Sequence, residues 1–479
     1  MSEFKTNLLS GIKWSFINKV LFQALSLMIT IILARMLSPD EFGIFAMITV
    51  FASFATLFSD FGLGNSLIYY QDADERDYST VFYANIIIGL LITLLFYFLA
   101  PTIAHFYNEP DLTRLIQIFS SVFLIQSVGQ VSIALLRKNI KFKKLGIIEN
   151  IALLLSGIIA VLASYFEMGA MSLVLKSIIY AFVLTISVLL FSRFKPYWYF
   201  SLDRLKVLSG YGVQTMSNMF ITYWIRNADN LIIGKILGNV QLGFYNMAYK
   251  IMLLPINNIS RVISQVMFPS FSSINNDLSR LRNSYLKIIQ TVALLTFPIF
   301  GGLFMLSNEF IRLVLGSHWI EIDAYLPVLA LVALPQSIFT LNGSVFQSIG
   351  RPDIPLKINL VSFPLYLLAF YFGLEMNGVT GLVYNYAILS AALFIPIYVL
   401  LAKHIKLSLL IFFNNLLPAI TGTFVMSLFI FFYRKFIYFN EYPFLWMTFC
   451  VFGAIIVYGG FTILVWSKKI EVLKLVKNR

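Results

Sequence analysis

Long runs of apolar residues recur along the chain and are separated by short polar connections. A helix that spans a membrane needs about 20 mostly apolar residues, and backbone in lipid must satisfy its own hydrogen bonds, so runs of this length indicate helices. Fourteen runs qualify. They are 12–34, 42–68, 79–100, 114–136, 145–166, 171–192, 206–236, 242–269, 287–306, 325–349, 354–373, 378–401, 414–433 and 443–466. The pattern therefore predicts an all-α integral membrane protein with 14 transmembrane helices.

Composition agrees with this prediction and removes several classes of function. Of the 479 residues, 59% are hydrophobic and 12% are charged, which is far from the balance of a soluble enzyme. Cys450 is the single cysteine, so no intramolecular disulfide and no cysteine-based metal site can form. The three histidines are scattered in polar connections, and no phosphate-binding loop motif occurs. We therefore expect no metal and no cofactor.

The distribution of Lys and Arg predicts the orientation in the membrane. With the N-terminus inside, 24 of the 35 cations fall in inner segments, 6 in outer loops and 5 within spans. This asymmetry predicts that both termini are cytoplasmic. The formal net charge of +13 then indicates contact with anionic membrane lipids, including a basic amphipathic stretch at 468–474, and nucleic acid is not an expected partner.

Two internal alignments indicate a duplicated architecture. At an offset of 200, Gly43 and its neighbours match Gly243, and at an offset of 209, Gly169 matches Gly378. Six predicted spans separate the copies, so both copies have the same orientation and are related by an axis along the membrane normal. The repeat predicts two pseudo-symmetric six-helix lobes and two C-terminal helices. Their ranges are 1–200 for helices 1–6, 201–405 for helices 7–12, and 406–479 for helices 13–14 and the basic tail.

Several short motifs carry a family resemblance. They are SGIKWS at 10–15, LARMLSPDEFG at 33–43, FSDFGLGN at 58–65, FPSF at 268–271 and SIGRP at 348–352. In this order, they resemble the polysaccharide transport family of the MOP (multidrug/oligosaccharidyl-lipid/polysaccharide) flippase superfamily, and within it the colanic acid and teichuronic acid exporters. The resemblance covers essentially the whole chain.

The resemblance implies a MATE/MOP-like fold in the bacterial cytoplasmic (inner) membrane. It implies that the substrate is an undecaprenyl-diphosphate-linked oligosaccharide, which moves from the inner to the outer leaflet during synthesis of a surface polysaccharide. It also implies a V-shaped central cavity, faced mainly by helices 1, 2, 7 and 8. Polysaccharide polymerase and export machinery are candidate partners.

Ionisable residues deep inside a span are costly, so they point to a site. On the four helices that the resemblance places around the cavity, the deep charges are Lys19, Asp60, Arg226, Asp229, Lys250 and Arg261. Four cations and two carboxylates give a surplus of +2. This charge suits a diphosphate, whose passage through hydrocarbon is otherwise opposed by a large desolvation cost.

The two arginines are the primary candidates for phosphate contact, because a guanidinium donates two parallel hydrogen bonds whereas an ammonium is a point charge. We assign this role to Arg226 and Arg261, with Lys19 and Lys250 supporting. Asp60 and Asp229 are cavity carboxylates with a coupling or a structural role.

Alternatives remain open for these charges. Arg226 and Asp229 are three residues apart and can neutralise each other. Lys19 and Lys250 can extend to the membrane interface, and Asp60 can brace a bend at the glycines that follow it.

Tyr223 and Trp224 precede Arg226 and can stack on sugar rings.

Three functions are compatible with these features. The first is a flippase of lipid-linked oligosaccharides that works by alternating access of a cationic cavity. The second is a MATE-like drug or cation antiporter, which favours carboxylates over cations. The third is a membrane glycan polymerase, although the longest outer connection is short for a catalytic loop. The first is the primary prediction, and it makes the chain a secondary transporter, not an enzyme.

Overall fold

The computed structural model describes residues 2–58, 62–70, 72–437 and 442–467. For residues 2–13, 15, 16, 210–222, 225 and 226 it describes the helical backbone alone. Within the described ranges the regular secondary structure consists of helices, with no strand. The prediction of an all-helical protein is therefore confirmed for this part of the chain.

The chain folds into two compact units, Met1–Gly243 and Phe244–Arg479. The helices that begin in the first unit are α1 Ser2–Met36, α2 Pro39–Thr56, α3 Leu63–Tyr69, α4 Glu75–Tyr107, α5 Leu112–Lys138, α6 Phe142–Tyr165, α7 Met171–Ser192 and α8 Leu202–Pro255. In this unit α5 packs against α4 and α7, while α6 packs against α1 and α7.

The second unit continues α8 directly. Its elements are a π-helical turn Ile256–Ser260, α9 Arg261–Ser272, α10 Leu278–Met305, α11 Ser307–Phe310, a π turn Ile311–Leu315, a 3-10 helix Ser317–Ala324, α12 Leu326–Phe339, α13 Asn342–Ser348, α14 Asp353–His404, α15 Leu409–Phe436 and α16 Pro443–Trp466. Here α10 packs against α12 and α15, and α15 packs against α16. Cys450 is buried between α15 and α16 beside Trp446 and Met426.

Helix starts follow local sequence rules. Ser38 caps α2 in a capping box with Glu41, and Pro39 occupies the first turn, where its missing N–H costs nothing. Asp74 and Asp77 form the equivalent box at the start of α4. These polar caps fix where each apolar helix begins.

An ion pair fixes the start of α8 to the start of α4. Arg204 Nε donates to Asp77 Oδ1 at 2.7 Å, and its Nη2 donates to Asp77 Oδ2. Nearby, the backbone N–H of Tyr197 donates to Ser79 Oγ at 2.9 Å. The connection between α7 and α8 is thus fastened to α4 within the first unit.

Eleven helical segments in the described residues are long and apolar enough to cross a membrane, which makes the chain a multi-pass membrane protein. The difference from 14 has three sources. The predicted span 42–68 is divided between α2 and α3, the predicted spans 206–236 and 242–269 share α8, and 354–373 and 378–401 share α14. The number 14 and the six-helix lobes stay predictions.

Two breaks divide the longest helices. Gly238 interrupts α8 with φ 82°, and Asn377 and Gly378 interrupt α14. At Gly378 φ is 55°, and Gly169, its partner in the sequence repeat, has the same φ of 55°. A left-handed residue needs glycine's freedom, so the repeat alignment pairs two positions with the same backbone requirement.

Candidate functional site

Helix α1 is held in a fixed rotation by α6. Gly146 and Gly157 of α6 leave room for α1, because a Cβ at Gly146 would lie 2.2 Å from Asn18 Nδ2 and one at Gly157 would lie 2.4 Å from Ile29 Cδ1. Asn150 Nδ2 also donates to the Asn18 carbonyl at 3.3 Å. One face of α1 is therefore committed to α6.

Lys19 lies on a different face of α1. Ser26 and Thr30 follow it by 7 and 11 residues, a spacing that places all three on one line along the helix, and Thr30 Oγ1 donates to the Ser26 carbonyl at 2.8 Å. Gln23, four residues after Lys19, lies beside this line. The four residues Lys19, Gln23, Ser26 and Thr30 form what we call the α1 polar stripe.

Exposed apolar side chains occupy the remaining face of α1, where Val20, Leu21 and Met28 are the clearest examples. The α1 polar stripe therefore faces neither α6 nor the apolar surface. Lys19 is exposed on it. Only the lysine was singled out from the sequence; the spacing of the other three polar residues is the signal that identifies the stripe.

Tyr223 and Trp224 pack against α2. The Tyr223 hydroxyl donates to the Val50 carbonyl, and its ring centroid lies 5.6 Å from that of Phe54. Trp224 lies 5.1 Å from the same Phe54 ring. Tyr223 retains 9% of its surface, so little of it remains for a ligand, whereas Trp224 is half-buried.

Asp229 is buried in the same part of α8, with 5% of its surface exposed. Its Oδ1 accepts hydrogen bonds from the Asn230 backbone N at 2.8 Å and from Asn230 Nδ2 at 3.3 Å. Hydrogen bonds of this kind stabilise a carboxylate away from water. The side chain of Arg226, and Asp60 altogether, lie outside the described residues, so a pair between Arg226 and Asp229 stays a prediction.

Lys250 and Arg261 lie on either side of the π turn. Lys250 is exposed near the end of α8, and Arg261 is half-buried at the start of α9. In a regular α-helix residues 11 apart lie on nearly the same line. The π turn at Ile256–Ser260 adds one residue to the winding and so rotates Arg261 by about 100° relative to that line. The two cations therefore point in different directions.

The π turn also leaves polar atoms without partners. Asn257 Oδ1 and Ser260 Oγ are buried and make no hydrogen bond to any residue that the structure describes. Such turns are frequent at functional sites. The apolar pattern does not predict this turn, although Pro255 immediately before it is a signal of irregular winding.

Helix α9, which carries Arg261, is tied to α13. Ser264 Oγ lies 2.7 Å from Ser344 Oγ, and Ser344 Oγ donates to the Ser264 carbonyl at 2.9 Å. Two hydrogen bonds between adjacent helices fix the rotation of α9. Arg261 therefore lies at the start of a helix whose rotation is fixed by α13.

Comparisons with known proteins give the same picture of the whole chain. Residues 32–324 match the family described as "Polysaccharide biosynthesis protein". The lipopolysaccharide biosynthesis protein WzxC of Escherichia coli (strain K12) is 30% identical over 80% of this chain and 78% of its own. The teichuronic acid biosynthesis protein TuaB of Bacillus subtilis (strain 168) is 31% identical over 89% of each.

Among solved structures, the lipid II flippase MurJ in an inward closed conformation is similar with a TM-score of 0.78. The similarity covers 96% of this chain and 100% of that one, at 17% sequence identity. At this identity the comparison shows a shared fold.

Proposed function

Because the chain belongs to the polysaccharide biosynthesis protein family, we propose that it is a flippase for undecaprenyl-diphosphate-linked oligosaccharides. It moves single repeat units from the inner to the outer leaflet of the bacterial cytoplasmic membrane, where they enter a surface polysaccharide. One observation carries the proposal: a chain with the fold of a lipid II flippase aligns over four-fifths or more of its length with proteins named for lipopolysaccharide and teichuronic acid biosynthesis.

The chemistry of the substrate explains the charges inside the spans. A lipid-linked diphosphate carries anionic oxygens and sugar hydroxyls, whose transfer into hydrocarbon is strongly unfavourable. A hydrated cationic groove removes most of this penalty. We assign phosphate contact to Arg226 and Arg261, with Lys19 and Lys250 in support.

The α1 polar stripe supports this assignment. An exposed cation followed by a half-buried amide and a half-buried hydroxyl, at Lys19, Gln23 and Ser26, is suited to the path of a polar headgroup, whereas Thr30 at the end of the stripe is buried. Trp224 is the candidate for stacking on sugar, since it keeps part of its surface while Tyr223 braces α2. Asp229 serves the packing of α8 through Asn230, and Asp60 acts as a brace or in coupling.

The succinoglycan biosynthesis transport protein ExoT of Rhizobium meliloti (strain 1021) aligns with 69% of this chain, and the lipid II flippase MurJ shares its fold, so the chain is a transporter and not an enzyme. The polymerase alternative is therefore set aside. We place both termini in the cytoplasm from the distribution of Lys and Arg. Polymerase and export machinery would then receive the units at the outer surface.

The test is a strain that lacks this chain, analysed for lipid-linked repeat units by mass spectrometry and by access of an external glycosidase. We expect single units to accumulate where the glycosidase cannot reach them, and surface polysaccharide to disappear. Single units that reach the outer leaflet in this strain would contradict the proposal. Normal polysaccharide together with new sensitivity to cationic drugs would indicate an antiporter instead.

A further inference from the structure

The second unit contains a cluster of aromatic rings where the two halves of α14 meet. The ring centroids of Tyr366 and Tyr386 are 5.6 Å apart, and Phe370 lies 6.0 Å from Tyr366 and 6.1 Å from Tyr386. Asn385 Nδ2 donates to the Ala369 carbonyl at 3.2 Å and holds the two halves together. The rings are tilted against each other and do not form a closed stack.

Uncharged polar groups surround these rings. The Tyr366 hydroxyl lies 3.2 Å from Ser390 Oγ, and the Tyr386 hydroxyl donates to Gln336 Oε1 of α12 at 3.5 Å. The second distance is at the outer limit of a hydrogen bond. Among the described residues, Gln336 Nε2 makes no hydrogen bond. We call Gln336, Tyr366, Tyr386 and Ser390 the tyrosine cluster.

The tyrosine cluster lies at mid-depth of its helices. Tyr366 follows the start of α14 by 13 residues, which is about 20 Å along the helix, and Ser390 follows the break at Gly378 by 12 residues, about 18 Å. The hydrocarbon core of a membrane is about 30 Å thick. The hydroxyls therefore lie well away from either end of the two half-helices.

The tyrosine cluster is turned away from the apolar surface of α14. Leu368 and Ile388 belong to stripes of exposed apolar side chains on the two halves. Tyr366 is two residues from Leu368, and Tyr386 and Ser390 are each two residues from Ile388, so each lies about 160° around its helix from the stripe. All four members of the cluster are half-buried, so each retains some exposed surface.

This combination of groups has a specific binding chemistry. Aromatic faces accept the C–H face of a sugar ring, while phenol, hydroxyl and amide groups exchange hydrogen bonds with sugar hydroxyls. None of the four side chains of the tyrosine cluster carries a charge, so the cluster offers no ion pair to a diphosphate or to a cationic drug. A few polar groups among aromatic rings are typical of a small-molecule site.

We propose that the tyrosine cluster is a subsite for the oligosaccharide part of the transported lipid, separate from the cations that contact its diphosphate. This inference rests on the proposed function. It assigns glycan recognition to the second unit, through the Tyr366 and Tyr386 rings and the Gln336 amide.

The test measures binding of two probes to the full chain in nanodiscs. One probe is the lipid-linked oligosaccharide extracted from the strain that lacks this chain, and the other is undecaprenyl diphosphate without sugar. For the double variant Tyr366→Leu/Tyr386→Leu we expect at least a tenfold loss of affinity for the first probe and an unchanged affinity for the second.

A matched control uses the same two substitutions on the exposed stripes. Tyr371 and Tyr384 lie on the same halves of α14 and are each about half exposed. Tyr371→Leu/Tyr384→Leu should leave both affinities unchanged. The variant Gln336→Leu tests the amide separately and should weaken only the sugar-bearing probe.

The outcomes distinguish failure of the proposed function from failure of the sugar subsite. A wild-type chain that binds neither probe overturns the proposed function and the inference with it. The inference alone is overturned if the wild-type chain binds both probes and the Tyr366→Leu/Tyr386→Leu variant loses affinity for both equally or for neither. The tyrosine cluster then serves helix packing.

Discussion

Gly43 and Gly243 each lie against the backbone four residues before the other. A Cβ at Gly43 would come within 1.8 Å of the Asn239 carbonyl oxygen, and one at Gly243 within 1.9 Å of the Pro39 carbonyl oxygen. The sequence repeat pairs these two glycines at an offset of 200. A reciprocal contact of this kind is what a two-fold relation between equivalent segments produces.

Substitution of either glycine should be severely disruptive. In Gly43→Ala and Gly243→Ala the new methyl group meets a backbone oxygen, which cannot move aside as a flexible side chain can. We expect a loss of about 1–3 kcal/mol in the free energy of unfolding from overpacking. Thermal melting of the purified protein measures the effect.

Gly302→Ala is the control for these variants, because a Cβ at Gly302 has no atom within 4 Å among the described residues. It should melt at the wild-type temperature. If all three variants melt at the wild-type temperature, the close backbone contacts at Gly43 and Gly243 can open without loss of stability.

The ion pair between Arg204 and Asp77 should matter more than its exposed counterpart. The Asp77 side chain is 3% exposed, so Arg204→Ala leaves a buried carboxylate without its guanidinium, at a cost of about 1–3 kcal/mol. Arg351 and Asp353 form the matched control, with similar bidentate geometry but a carboxylate that is 39% exposed.

Arg351→Ala should therefore destabilise the protein less than Arg204→Ala, because an exposed ion pair is screened by solvent. Both arginine side chains are nearly half exposed, so the pairs differ in the burial of the carboxylate and in Lys357, whose Nζ also lies 2.9 Å from Asp353 Oδ2. The comparison therefore uses Arg351→Ala in a chain that also carries Lys357→Ala. Denaturation of both variants in the same detergent gives the comparison. Equal losses would mean that burial of Asp77 does not set the strength of the pair.

The two arginines assigned to phosphate should be needed for transport but not for insertion. Arg226→Ala and Arg261→Ala are expected to reduce surface polysaccharide at least tenfold at normal protein level in the membrane. Lys replacements should restore part of the activity, since they keep the charge but lose the planar fork. Lys176→Ala is the control, because this half-buried lysine lies on α7, which is the sixth predicted span and not one of the four spans assigned to the cavity.

Full polysaccharide export by Arg226→Ala and Arg261→Ala would remove the phosphate assignment. Exchange of the two charges, Arg226→Asp with Asp229→Arg, separates a structural pair from a binding site. Recovery of export in the exchanged variant would indicate that the two residues mainly neutralise each other.

Stability should fall slightly as Glu109 ionises. Partial burial, together with the charges of Asp40 and Asp111, raises the pKa of Glu109, which lies in the connection between α4 and α5. Compared with the unfolded chain, the folded chain therefore favours the protonated form of Glu109 more strongly. The penalty for ionisation grows as pH rises from the unfolded pKa through the folded pKa, and it is fully present above the latter.

Glu109→Gln should accordingly raise the melting temperature at pH 7 by about 1 °C or less, because the connection is partly solvated. The gain should shrink at pH 4, where wild-type Glu109 is mostly protonated. Melting curves over this pH range provide the measurement. A gain that stays constant with pH would point to a cause other than charge.

Runs of apolar residues predicted nearly every long helix and the breaks near Gly238 and Asn377, but they missed the breaks inside the predicted spans 42–68 and 325–349. Hydropathy reports which residues can lie in lipid, and it does not report the hydrogen bonds that end a helix. The predicted span 42–68 is apolar throughout, yet α2 ends at Thr56 and α3 begins after Gly62, whose φ is 70°. The span 325–349 is likewise divided into α12 and α13.

The candidate site shows the same limit. Spacing along one helix is visible in a sequence, so the α1 polar stripe can be predicted from the sequence alone. The packing of Tyr223 on Val50 and Phe54 depends on residues about 170 positions away, and the tyrosine cluster joins α12 to the two halves of α14. Contacts of this range are set by the fold and leave no local pattern.

The extra residue in the π turn at Ile256–Ser260 sets the rotation of helix α9 about its axis. Removal of one residue there would return the segment to regular winding and carry Arg261 about 100° around its helix axis, with every side chain chemically unchanged. Evolution can therefore redirect this arginine by a single-residue insertion or deletion. Under the proposed function, such a change would alter what the arginine faces without loss of its charge.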